Sequence, residues 1–130
     1  MTQVLHDSFF LHAPRVFEIH ASQSPQRKGD ASWTANVYQD DGDGYIVIAE
    51  LVSSSEEGTV SVTLGGMFQP AQPKPNSADV SSLIGSSTAF ETLYDVARQA
   101  AHGVGGLANV NLKFALKAPE ADVTFHADSI

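Results

Sequence analysis

Apolar and polar residues alternate through most of the first half of the chain. In "RVFEIHA", Val16, Glu18 and His20 alternate with Phe17, Ile19 and Ala21, the period-2 pattern of a strand with one buried face. "SQSPQRKGD" interrupts with Pro25 and Gly29. "ASWTANVYQ" resumes the pattern, with Trp33, Ala35 and Val37 on one face and Thr34, Asn36 and Tyr38 on the other; these residue types suit a pleated surface. "DDGDG" breaks this strand and "YIVIAELVSS" follows as the strongest strand in the chain. "SEEG" is the next turn, and in "TVSVTLGGMF" Val60, Val62, Leu64 and Gly66 oppose Ser61, Thr63 and Gly65. Strands so close together, joined by turns of a few residues, predict an antiparallel meander.

The period then changes. "QPAQPKPNS" carries Pro70, Pro73 and Pro75, which do not fit inside a sheet or helix and predict a long surface crossing. "ADVSSLIGS" reads as a short helix or turn. In "STAFETLYDVARQAAHG", Phe90, Leu93, Ala97, Ala100 and Ala101 share one helical face, with Tyr94 beside them. Thr88 and Glu91 have capping-box spacing, and Gly103 suits a left-handed C-cap. In the tail, Val110, Leu112, Phe114 and Leu116 alternate with Asn111, Lys113 and Ala115 as a strand would, and Pro119 ends it. "ADVTFHA" is either a short strand or loose.

The acidic turn has a second reading. Counted as a calcium loop, "QDDGDGYIVIAE" places Asp41, Asp43, Gly44, Ile46 and Glu50 at positions 3, 5, 6, 8 and 12, with Gln39 where the first ligand belongs. An EF-hand loop lies between two amphipathic helices, whereas both flanks here have strand periodicity. Gly42 and Gly44 can take the positive φ that tight hairpins need. The stretch is read as a hairpin turn.

Composition narrows the remaining chemistry. The 130 residues are enough for one domain with a true core, here 42% hydrophobic and rich in Phe. Residues 1–14 and 120–130 are the stretches that could be loose tails. Fifteen acidic against seven basic side chains give a net charge of −8, which disfavours nucleic acid as a partner. The absence of cysteine rules out disulfides, thiolate catalysis and Cys-based zinc sites. Neither a signal-peptide pattern nor an apolar run of membrane-spanning length is visible. A soluble, cytoplasmic protein without membrane partners is expected.

Catalytic signals are weak. His6, His12, His20, His102 and His126 are scattered, without the spacing of a metal-binding helix, so no metal is assigned. "LIGSSTAF" does not supply a Gly-x-Ser-x-Gly nucleophile elbow, and "GVGG" lacks the strand that precedes a dinucleotide loop. No cofactor and no enzymatic activity are expected. Asp40, Asp41 and Asp43 in one turn, with Glu56 and Glu57 in the next, make two acidic tips. They read as a solvated edge or, alternatively, a docking surface for a basic partner.

Two stretches carry a resemblance. "GYIVIAELVSSSEEGTVSVTLGGMFQP" is strand, acidic turn and strand ending in Gly-Gly-hydrophobic-Phe, and "TAFETLYDVARQAA" is a helix with Leu-Tyr-x-x-Ala-Arg. Together they resemble the SecB-like chaperones over roughly residues 32 to 101. The resemblance implies an α+β fold, a four-stranded antiparallel β-meander packed by one main helix, with an extra C-terminal strand allowed. It implies homo-oligomers, either dimers or tetramers, and apolar grooves that hold unfolded polypeptide. Met67 and Phe68 at the strand end, with Leu93 and Tyr94 on the helix, lie where the family has groove or core residues. Export chaperones of the family carry an acidic residue seven positions before the motif Phe, on the sheet face that docks the translocase motor; Ser61 stands there in this chain. The chain is therefore similar to the family as a divergent member.

Three classes of function follow. The first is a SecB-like, ATP-independent holdase for unfolded or extended chains. The second is a dedicated partner-binding protein on the same fold, such as a toxin–antitoxin chaperone or a phage accessory factor. The third is a small ligand- or metal-binding domain assembled from scattered His and Asp.

Overall fold

The alternating segments become strands β1 (Phe9–Ser22), β2 (Ser32–Gln39), β3 (Tyr45–Ser55) and β4 (Gly58–Pro70). A computed structural model describes residues 9–22, 32–40, 42, 44–55, 58–71, 76–107 and 121–126. After β4 a 3-10 turn (Ser77–Asp79) leads into α1 (Val80–Gly85), then α2 (Thr88–Leu107), and β5 (Asp122–His126) closes the chain's described part. The segment expected as a strand over residues 110–116 lies outside the described residues; the strand that forms is the "DVTFH" of the tail.

The sheet order is β1-β4-β3-β2-β5. β2, β3 and β4 make the antiparallel meander, in registers running from Gln39 opposite Tyr45 and from Ser55 opposite Gly58. β1 is antiparallel to β4 rather than to β2, so the first strand crosses to the far side of the meander. β5 is parallel to β2. Residues 9–14 thus belong to β1, and 122–126 to β5, inside the stretches read as candidates for loose tails.

Alternation holds where the strands are regular. Trp33, Ala35 and Val37 are buried on β2, and Val60, Val62 and Leu64 on β4. It fails on β1. Register shifts fall between His12 and Arg15 and between Val16 and Glu18. Each bulge inserts a residue and turns the strand. Val16 and Ile19, three apart, both pack on the core, while Phe17 is thrown to the other face and is 54% exposed. Ala13, in the first bulge, has φ 50°, a left-handed conformation that costs a non-glycine residue about 1–2 kcal/mol.

Both helices cover one face of the sheet. The α2 stripe of Ala89, Phe90, Leu93, Tyr94, Ala97 and Ala101, with Val80 and Ile84 of α1, is buried against the inward residues of β1 to β4. The predicted helical face is the observed one, although the caps differ. Ser87, not Thr88, is the N-cap: the Phe90 N–H donates to Ser87 Oγ at 3.1 Å, and the Glu91 N–H donates to the Ser87 carbonyl at 3.2 Å. The same hydroxyl donates to the Ile84 carbonyl at 2.7 Å, joining the end of α1 to the start of α2. Gly103 does not end the helix, which continues to Leu107.

Candidate functional site

The acidic turn joins β2 to β3. The Asp40 N–H donates to the Gly44 carbonyl at 3.0 Å, and Gln39 Nε2 donates to the same carbonyl at 3.2 Å. Strands flank it on both sides, so it is a hairpin and lacks the helices of an EF-hand. Asp41 and Asp43 lie outside the described residues, as do Glu56 and Glu57.

The four residues singled out on the strand end and helix do not form one surface. Phe68, Leu93 and Tyr94 are in the core, none more than 1% exposed. Phe68 meets Phe90 edge-on, with centroids 6.5 Å apart, and Tyr94 meets Trp33 in the same way at 5.5 Å. Burial pushes the Tyr94 phenol above its ordinary pKa, with the nearby Arg98 charge opposing and Glu91 and Asp95 adding to the rise. Arg98 itself is held by Asp95 at 2.6 Å. Met67 alternates with Phe68 and is half-buried on the opposite face.

That opposite face carries no helix among the described residues. Its residues follow from the strand registers. One row across the sheet runs His12, Met67, Ile46, Tyr38, His126. The next runs Arg15, Gly65, Ile48, Asn36, Thr124. Phe17 lies over this second row: a Cβ on Gly65 would stand 2.9 Å from its ring and 2.7 Å from the Val47 carbonyl oxygen. Phe10, opposite Gln69 and one row beyond His12 and Met67 on the same face, is 55% exposed. Phe10, Phe17, Met67, Ile46 and Ile48 thus form an apolar band on the open face. A third row, Glu18, Thr63, Glu50, Thr34, Asp122, is acidic at both edges and in the centre. Ser61 sits half-buried in a fourth row with His20, Val52 and Ser32.

Sequence reasoning did not find Phe10 and Phe17 as surface residues. The "FF" pair at 9–10 contains the signal, because adjacent strand residues face opposite ways. Phe17 offers none, since its direction depends on a bulge.

Among the described residues no three His, Asp or Glu side chains gather as a metal site would require. What these residues offer is contact area: an apolar band, an acidic border and the backbone edges of β1 and β5. No helix among them is long and apolar enough to cross a membrane.

No family model and no curated protein matches the chain. Its structure is similar to that of a Mycobacterium tuberculosis SecB-like chaperone, Rv1957, solved in complex with a ChAD peptide from the HigA1 antitoxin. The TM-score is 0.66 at 13% sequence identity, covering 85% of this chain and 88% of the other. The likeness is one of fold. The expected α+β, SecB-like architecture is therefore the observed one, with β5 as the additional C-terminal strand.

Proposed function

We propose that this protein is a SecB-like polypeptide-binding chaperone, a holdase that shields apolar segments of unfolded or extended chains without ATP. The observation that carries the reading is the shared fold with a SecB-like chaperone that holds a peptide. The apolar band supports it, because exposed apolar residues grouped on one face mark an interaction surface. Met67 meets the client directly, together with Phe10 and Phe17. Phe68, Leu93 and Tyr94 are reached only where α2 lifts from the sheet. The protein works in the cytoplasm as a dimer or tetramer, without nucleic acid or membrane, consistent with its charge of −8 and with β1 standing at the edge of the sheet among the described residues.

Fluorescence anisotropy with reduced, carboxymethylated α-lactalbumin, a permanently unfolded probe, tests the reading. Saturable binding that weakens in Phe10→Ser and Phe17→Ser variants is expected. No binding at micromolar protein counts against it. Mass in solution tests the assembly, and a strict monomer would remove that part of the proposal.

A second reading, a binder of one dedicated partner, is favoured by the antitoxin peptide in the similar structure. A single stoichiometric partner in a pull-down, with no binding of the unfolded probe, would select it over the holdase.

A further inference from the structure

β5 is joined to the sheet differently from every other strand. It is the one parallel neighbour among the described strands, and it covers five of the eight positions of β2, from Thr34 opposite Asp122 to Tyr38 opposite His126. Parallel pairing is slightly less stable per residue than antiparallel pairing. The inward residues of β2 are buried to 3% exposure or less, whereas those of β5, Val123 and Phe125, are only half-buried.

The seats of these two side chains belong to other elements. Val123 packs beside Gly85 of α1, where a Cβ would lie in ordinary contact, 3.4 Å from Val123 Cγ2. Phe125 meets Tyr45 of β3 edge-on, with centroids 5.9 Å apart. On the outward side one polar pin holds the strand: His126 stacks on Tyr38 at 4.7 Å, and its Nε2 lies 2.9 Å from Asn36 Oδ1. Among the described residues the remaining binding is chiefly the backbone pairing of 122–126 with 34–38, which any extended chain can supply.

We propose that the β2 edge is a strand-acceptor site, closed in this structure by the chain's own β5. An extended polypeptide segment with apolar residues at alternate positions binds there in place of β5. Its two apolar side chains enter the seats beside Gly85 and Tyr45, and its backbone pairs with residues 34–38. β5 is then a resident substitute for client, and its release sets how much of the site is open. The inference rests on the polypeptide-binding reading and deepens it: client apparent affinity is scaled by the fraction of molecules with β5 displaced.

The absence of native cysteine allows an unambiguous lock. Asn36 and Thr124 are register partners, and neighbouring strands stand about 4.8 Å apart, within disulfide reach. In the Asn36→Cys, Thr124→Cys protein, the oxidised form is expected to bind carboxymethylated α-lactalbumin at least about tenfold more weakly than the reduced form. The probe's blocked thiols make it indifferent to the redox change. Equal binding by both forms overturns displacement and leaves the holdase reading standing. Binding by neither form overturns both. Phe125→Ala provides a second check: it loosens β5 and is expected to tighten probe binding several-fold. Weaker binding by that variant contradicts the proposal.

Discussion

Trp33 of β2 stacks on Phe90 of α2, with ring centroids 5.1 Å apart and an interplanar angle of 26°. Sheet and helix are joined through this pair, both members at most 2% exposed. Phe90→Ala is expected to cost about 3–5 kcal/mol, a large part of the roughly 5–15 kcal/mol available to a domain. Urea denaturation followed by Trp33 fluorescence measures it. Phe17→Ala, at an exposed ring, is expected to cost under about 1 kcal/mol. A comparable loss in the two variants would contradict the division into covered and open faces.

Ser87 is the second point of leverage, because its hydroxyl serves two helices. Ser87→Ala removes the cap bond to the Phe90 N–H and the bond to the Ile84 carbonyl. A loss of about 1–2 kcal/mol is expected from the cap. Ser86→Ala, whose exposed hydroxyl only donates back into α1, should cost less. Thermal melts of both variants settle the order.

Gly65 is needed for close approach. Gly65→Ala forces its new methyl against the Phe17 ring and the Val47 carbonyl, with an expected cost of about 1–3 kcal/mol. Adding Phe17→Ala should recover part of that cost but not all, since the carbonyl cannot leave the β3–β4 ladder. A double-mutant cycle reads the coupling; strict additivity would place Phe17 elsewhere.

Tyr94 predicts an alkaline limit. Its pKa is raised chiefly by burial, and its unfolded value is about 10, so the folded state holds the proton more tightly. The stabilisation from this group is fully present below pH 10 and is lost as pH climbs through the folded value. Stability measured between pH 7 and 11.5 should fall only at the upper end, and Tyr94→Phe should flatten that fall.

What was legible in the sequence was the regular part. Strict alternation on β2 and β4 named their buried residues, and the 3.6-residue stripe from Phe90 to Ala101 named the inner face of α2. The bulges of β1 were not legible, because Phe17, Ile19 and Ala21 alternate with Glu18 and His20 as one apolar face would, and only pairing with β4 reveals that Phe17 is the inserted residue. Strand order was equally hidden: local turns specify β2-β3-β4, whereas the partner of β1 is chosen by long-range packing. Ser87 and Thr88 are both plausible caps one position apart, and the Ile84 carbonyl decides between them. Among the candidate site residues, "GGMF" signalled a strand end without saying which of Met67 and Phe68 faces outward. "ADVTFHA" does not decide between strand and loop, because the five residues of β5 carry little periodicity, and the residues that β5 packs beside, Gly85 and Tyr45, are far away in the chain.

Light scattering during dilution of a chemically denatured, aggregation-prone client tests the central claim most directly. With the chain present at stoichiometric amounts and no ATP, scattering should be suppressed and the client's spontaneous refolding slowed. Scattering and refolding traces unchanged from those of the client alone would contradict the account.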